Sequence, residues 1–334
     1  MKNLSFTLAH ESPVSLLKQC PNYEPSPLLQ RTVAQRLILL KDETQRMGLG
    51  AFKALGGVYA VAQLIKGDEG ASNSSLEEMR EKAGEMTFVC ASAGNHGMAV
   101  AAGARIFGAK ARIHLSETVP HAFVTRLKKQ EAQVVRSGAN YEESVQIAIN
   151  DAAENNCIHL ADGSWAGYSE PPRLVMEGYT VIAEELRKAL SKNGNWPTHV
   201  FLQAGVGGLA AAVTYMIRKN WPVQPKIIIV EPEKAPCLKD AVKAGHVVTV
   251  GGSASNMGRL DCKTASMLAF EILNFMADSF VTVSDDQAQA ATDDLSEIGI
   301  QTTPSGCAGF AALNAIDLSI DARPLVIITE GRVQ

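Results

Sequence analysis

An excess of basic residues is missing from this 334-residue sequence, in which 31 Lys and Arg face 35 Asp and Glu for a formal net charge of −4. A chain with no basic excess has no global field to gather nucleic acid or anionic lipid, so no nucleic-acid partner is expected. Long apolar runs are missing too. The most apolar stretches are broken by Gln203 or by charges before the ~18 residues a membrane span requires. The opening MKNLSFTLAHESPVSLLKQC has no continuous apolar core of a secretory signal. No membrane association and a cytoplasmic location are the expectations. Six cysteines (Cys20, Cys90, Cys157, Cys237, Cys262 and Cys307) form no C-x-x-C pair and have no histidine at zinc-like spacing. Neither a metal site nor a disulfide framework is therefore indicated. Repeats and low-complexity tracts are absent as well.

What is present is an ordinary globular composition, 46% hydrophobic and 20% charged, which excludes a mainly disordered or fibrous chain. At roughly 150 residues per domain the length suits two domains. From residue 84 onward, short apolar β-rich runs alternate with helical patterns, as in a wound α/β sheet. TFVCAS (87–92), ARIHLS (111–116), AQVVRS (132–137) and CIHLAD (157–162) read as strands, with helices near 97–108, 120–130 and 141–155 between them. Three consecutive strand–helix–strand crossovers imply parallel strands. A second set follows: THVFLQAG (198–205), KIIIVEP (226–232), SFVTVSD (279–285) and PLVIITEG (324–331), separated by helical segments such as 207–219 and 286–298. These strands are apolar throughout, so a sheet covered on both faces is expected.

Five short segments carry candidate chemistry. Lys53 stands between Gly48 and Gly50 on one side and Gly56 and Gly57 on the other, at the start of an apolar helix. Desolvation and the positive helix end both disfavour an ammonium there, the condition for a Schiff-base lysine. The same facts also fit a surface lysine whose stem packs on the helix. Ser92-Ala93-Gly94-Asn95-His96-Gly97 joins a strand to a helix and offers free backbone N–H groups to a carboxylate or phosphate. A tight turn with a helix cap is the plainer alternative, and His96, with no second ligand near it, reads as packed or capping rather than metal-binding. Gly205-Val206-Gly207-Gly208-Leu209 is a second such turn. It fits a phosphate cradle, and it equally fits G-x-G-x-x-[G/A] as Gly205, Gly207 and Ala210, with Glu231 as the ribose acid of an NAD-dependent oxidoreductase. Ser305, in the small-residue turn 303–309, is either a helix cap or a hydroxyl aimed at a ring nitrogen. Asp162 closes the strand CIHLAD, where it serves either as a base facing a ligand crevice or as a turn former.

The set as a whole resembles the pyridoxal-phosphate enzymes of fold type II, the threonine dehydratase and tryptophan synthase β group. The Lys53 segment, SAGNHG (92–97), GVGG (205–208) and SGCAG (305–309) occur in that family's order across nearly the whole chain. GLGAFKALGG (48–57), DGSWAGY (162–168), LQAGVGGLA (202–210), IVEPEKAPC (229–237) and MGRLDC (257–262) are similar to the diaminopropionate ammonia-lyases within it. The resemblance implies an α/β fold of two wound domains with pyridoxal 5'-phosphate in the cleft between them. The large domain would be 1–83 and 167–334, with a small domain, 84–166, inserted. Lys53 would be the Schiff-base lysine and Asn95 would contact the pyridoxal hydroxyl. Gly205, Val206, Gly207, Gly208 and Leu209 would hold the phosphate, and Ser305 would pair with the pyridine nitrogen. Ser92, Ala93, Gly94 and His96 would surround the substrate carboxylate, and Asp162 would act as acid or base beside Lys53. Glu231 would be a pocket-wall residue.

The implied activity is elimination of ammonia from a small amino acid, 2,3-diaminopropionate first, by a homodimer without a metal. Serine or threonine dehydratase, 3-hydroxyaspartate dehydratase, racemase and a non-catalytic ligand-binding relative share the fold. Diaminopropionate ammonia-lyases typically carry an aspartate at the position of Ala93, credited with handling the D-isomer. Alanine has no proton to move, so the resemblance points to an L substrate here.

Overall fold

The computed structural model describes residues 4, 6–33, 36–67, 75–92 and 94–332. Ten strands are found among them: β1 (Leu28–Val33), β2 (Arg36–Asp42), β3 (Thr87–Ala91), β4 (Lys110–Leu115), β5 (Gln133–Arg136), β6 (Ile158–His159), β7 (His199–Gln203), β8 (Lys226–Pro232), β9 (Ser279–Val283) and β10 (Pro324–Ile328). They form a six-stranded sheet in the order β1-β2-β10-β7-β8-β9 and a four-stranded sheet in the order β5-β4-β3-β6. Every pairing is parallel except β1 with β2, where Leu28 faces Lys41 and Val33 faces Arg36 in an antiparallel edge hairpin.

All eight strand-like runs of the sequence are strands, and the helices between them are Asn95–Phe107, His121–Lys128, Tyr141–Glu154, Gly208–Asn220 and Asp285–Glu297. The hairpin β1–β2 escaped the sequence reading, which began its strand pattern at residue 84. β1 alternates half-buried and exposed residues at a sheet edge, whereas β8 and β10 are apolar almost throughout.

Sheet order places the ligand crevice. β3 has β4 on one side and β6 on the other, and β7 has β8 on one side and β10 on the other, so the chain reverses its winding direction at both strands. Crevices in open α/β sheets lie at the carboxyl ends of strands at such switch points. The turns leaving β3 and β7 are the SAGNHG and GVGG segments. One apolar core runs between the sheets through the helix Lys53–Lys66, which packs on the helices Asn95–Phe107 and Glu170–Asn193. No helix among the described residues is long and apolar enough to cross a membrane.

Candidate active site

Lys53 opens its helix, and the loop before it is fixed from below. Arg46, 2% exposed, binds Glu43 Oε2 at 2.6 Å and Glu185 Oε2 at 2.8 Å, and Lys41 reaches the same Glu185 oxygen at 2.5 Å. Gly48 and Gly50 then take φ of +70° and +81°, which a residue with a Cβ adopts at a cost. Phe52 N–H donates to Thr329 O at 3.0 Å and Ala51 bridges Glu330, tying the loop to the end of β10.

Behind Lys53 the helix sits too close to its neighbours for side chains. A Cβ on Gly56 would lie 2.4 Å from Tyr179 Cε1, and one on Gly57 would lie 2.5 Å from Ala99 Cβ. Gly178 makes the reciprocal approach, where a Cβ would meet Leu55 O at 2.5 Å.

These elements surround a cavity of about 730 Å³ that reaches Lys53, Ser92, Gly94, Asn95, His96 and Asp162. The same cavity is lined by Gly205 through Leu209 and by Ser305. The described candidates for catalysis, cofactor and substrate thus meet in one place, whereas Glu231, expected in the pocket wall, is not among the residues lining it. Ala93 lies outside the described residues.

The ammonium of Lys53 donates to Asp162 Oδ2, each side chain being 22% exposed. Burial pushes the lysine pKa down, but the charge and hydrogen bond of Asp162 outweigh it, so the net shift is upward. This corrects the expectation of a depressed Lys53, which counted desolvation and the helix end but had no way to place a carboxylate on Nζ. Asp162 is likewise penalised by burial, yet the charge and hydrogen bond of Lys53 hold it ionised well below the usual carboxylate range.

His96, 4% exposed, places Nε2 2.8 Å from Leu160 O. A carbonyl only accepts, so Nε2 carries the proton and Nδ1 is a bare acceptor, buried with no partner among the described residues. Burial also pushes the imidazole pKa down, which keeps the ring neutral.

Three helices begin at this cavity, at Lys53, Asn95 and Gly208, and none has a side-chain cap. Elsewhere Ser75, Asn140 and Ser284 cap their helices through side-chain oxygens. The first N–H groups of a helix have no intrahelical partner, so uncapped ends at a cavity suit an anion. Gly207 is the N-terminal cap of its helix at φ +100°, and a Cβ there would come within 2.9 Å of Ala269 and Leu238. Gly205 is held as closely, since a Cβ would stand 2.9 Å from Cys262 Sγ.

Ser305, 3% exposed, accepts the Arg259 backbone N–H at 3.1 Å, which leaves its own O–H free to donate. Glu231 closes the oxidoreductase reading. Its carboxylate is fully buried and accepts the N–H groups of Leu238 at 2.7 Å and Lys239 at 2.8 Å, capping the helix Cys237–Ala244, so it is not free to hold a ribose. Burial pushes its pKa up to about 7.

Among the cavity residues that the sequence reading did not single out are two charged ones, Glu330 and Arg259. Glu330 follows β10 as Asp162 follows β6, and the rule that flagged Asp162 would have flagged it, had the PLVIITEG run not been read only as a strand. Arg259 lies with its guanidinium carbon 5.9 Å from the Phe123 ring centroid. It lies within MGRLDC (257–262), a segment that carried the family resemblance without assigning Arg259 a role.

The family model described as pyridoxal-phosphate dependent enzyme matches residues 19–330 of this chain. The diaminopropionate ammonia-lyase of Escherichia coli (strain K12) is 34% identical over 337 residues, covering 92% of this chain and 85% of that protein. The diaminopropionate ammonia-lyase of Salmonella typhimurium is 31% identical over 365 residues, covering 98% and 90%. The crystal structure of the Escherichia coli enzyme in complex with D-serine superposes with a TM-score of 0.86 at 30% identity, covering 97% of this chain and 91% of that one.

Proposed function

This chain belongs to the family of pyridoxal-phosphate-dependent enzymes, and from that premise we propose that it eliminates ammonia from L-2,3-diaminopropionate to give pyruvate, with both nitrogens leaving as ammonia. It is a fold type II enzyme whose cofactor is pyridoxal 5'-phosphate. The observation that carries the reading is the pairing of Lys53 with Asp162 in a cavity ringed by uncapped helix ends.

The residues present fit the cofactor. A primary amine stands at the cavity wall, the glycine turn after β7 leaves its helix end uncapped for a phosphate, and Ser305 has an O–H to donate. When bound, the cofactor supplies an electron sink for the pair left on the α carbon. The backbone N–H groups of Gly205 through Leu209 bind the phosphate, and Ser305 donates to the pyridine nitrogen. Asn95 meets the ring hydroxyl. Of the turn Ser92, Ala93, Gly94 and His96, backbone N–H groups would receive the substrate carboxylate, because the His96 ring spends its one N–H on Leu160 O and has no donor left for it. With the cofactor bound, Nζ of Lys53 would take the α-proton and pass a proton to the leaving β-nitrogen. Asp162 holds that proton within reach and keeps the amine oriented. The division into a large domain, 1–83 and 167–334, and a small one, 84–166, that closes over the substrate and excludes water belongs to this proposal, as do the homodimer and the cytoplasmic location.

The test is release of ammonia and pyruvate across D- and L-amino acids by the yellow holoenzyme. L-diaminopropionate is expected to turn over fastest, and Lys53→Ala to lose both the borohydride-fixed adduct and at least ~10³-fold in rate. A colourless protein that takes up no pyridoxal phosphate, or a fixed adduct on another lysine, overturns the assignment. Faster turnover of serine or threonine would move the substrate while leaving the site intact.

A further inference from the structure

Glu330 has no part in the chemistry above, yet it is among the most constrained side chains in the cavity. Its side chain is 6% exposed. Its backbone bridges Ala51, two residues before Lys53, and its carbonyl accepts Thr302 Oγ1 at 2.6 Å. The carboxylate has two oxygens with different tasks. Oε2 accepts from Asn95 Nδ2, on the turn that leaves the four-stranded sheet, and Oε1 accepts from Thr303 Oγ1 at 2.5 Å. Thr303 Oγ1 in turn accepts the Gly306 N–H at 3.0 Å, inside the turn that carries Ser305. A continuous run of hydrogen bonds therefore leads from Asn95 through Glu330 and Thr303 to the Ser305 turn, and it joins the two sheets.

A carboxylate is an acceptor only, so it dictates the Asn95 amide orientation: the nitrogen must face Glu330 and Oδ1 must face away. An amide at position 330 has one acceptor oxygen and cannot receive both Asn95 and Thr303. We infer that Glu330 is a positioning residue, whose carboxylate holds Asn95 and the Ser305 turn in fixed relation so that the two side chains assigned to the cofactor ring stay in register across the two sheets. The inference rests on the cofactor reading above. The groups facing this region are Lys53, Asp162, Cys262 and His96 around the amine, with Arg259 Nε 3.5 Å from Glu330 Oε2 and Arg126 beyond it. The Glu330 charge is one of those favouring the protonated form of Lys53.

The experiment compares holoenzymes with Glu330→Gln, Thr303→Val, Asn95→Ala and the double change Asn95→Ala/Glu330→Gln. Three quantities are read: the visible absorption band, the alkaline pH at which it is lost, and the rate of cofactor dissociation. Glu330→Gln is expected to lower the alkaline midpoint by on the order of half a unit. It should also speed cofactor loss about tenfold. Thr303→Val should move the dissociation rate in the same direction by less. In the double variant the dissociation rate should exceed that of Asn95→Ala by clearly less than the factor Glu330→Gln gives alone, since the two changes share one hydrogen bond and only the Thr303 arm remains to be disturbed. Unchanged band, midpoint and dissociation rate in Glu330→Gln, or fully additive rates in the double variant, overturns the inference. A wild-type protein with no visible band after loading overturns the cofactor reading and the inference with it, whereas a normal wild-type band beside a silent Glu330→Gln overturns the inference alone.

Discussion

Lys53 and Asp162 form the smallest unit with a function, and each sets the other's protonation. Without the cofactor the amine is an ammonium held by a carboxylate, so it must lose a proton before it can attack an aldehyde. Removing the carboxylate takes away the largest influence opposing burial on the lysine, and burial favours the neutral amine. In Asp162→Asn apoenzyme, labelling of Lys53 by an amine reagent is therefore expected to begin at lower pH than in the wild type. Turnover of the same variant's holoenzyme should fall by ~10²-fold or more, since the proton at the reacting centre loses its holder. A labelling profile that stays put would show that the carboxylate does not control the amine. The residue types at this site were legible in sequence. The sign of the lysine shift was not, because the partners stand 109 positions apart in the chain.

At the scale of elements, the helix Lys53–Lys66 works by being thin. Two glycines in a helix interior each cost about 0.5–1 kcal/mol relative to alanine, and an isolated helix would be better without them. Their value lies in the distance they allow to the helices Asn95–Phe107 and Glu170–Asn193, where Gly57 faces Ala99 and Gly56 faces Tyr179 and Gly178. Gly57→Ala would gain helix propensity and lose the fit. A methyl 2.5 Å from Ala99 Cβ and 2.8 Å from its backbone carbon forces one helix outward, and overpacking of this kind costs about 1–3 kcal/mol. The expected outcome is a lower denaturant midpoint together with weaker cofactor retention, since the displaced helix carries Lys53. The sequence marked these glycines as unusual but not which helices they admit. The switch points at β3 and β7 were equally hidden, since strand order depends on pairings made across the chain.

For the molecule as a whole, the buried ion cluster of Lys41, Glu43, Arg46 and Glu185 joins segments that are remote in sequence. Arg46 also reaches Glu24 O and Ser26 Oγ at 2.8 Å, and Tyr23 OH donates to Glu185 Oε1 at 2.9 Å. The N-terminal segment, the hairpin β1–β2, the Lys53 loop and the long helix Glu170–Asn193 are thus bound at one point. Arg46→Met preserves volume but leaves the buried Glu43 without its ion partner and Glu185 with Lys41 alone, a loss of about 3–5 kcal/mol. Thermal unfolding of this variant should show a clearly lower Tm than the wild type. A Tm within a degree or two would mean that Lys41 alone satisfies the cluster.

The sequence by itself determined the eight parallel strands after residue 84, the four small-residue turns in their order, and the family those turns belong to. Such features rest on local chemistry: apolar runs make covered strands, and glycines beside helix starts make anion seats. Tertiary structure alone decided that Asp162 holds Lys53 in its protonated form, that Glu231 caps a helix, and that Glu330 stands between Asn95 and Thr303. A charge takes its state from whatever lies within a few ångströms, and in a wound α/β fold those neighbours arrive from strands a hundred or more residues away.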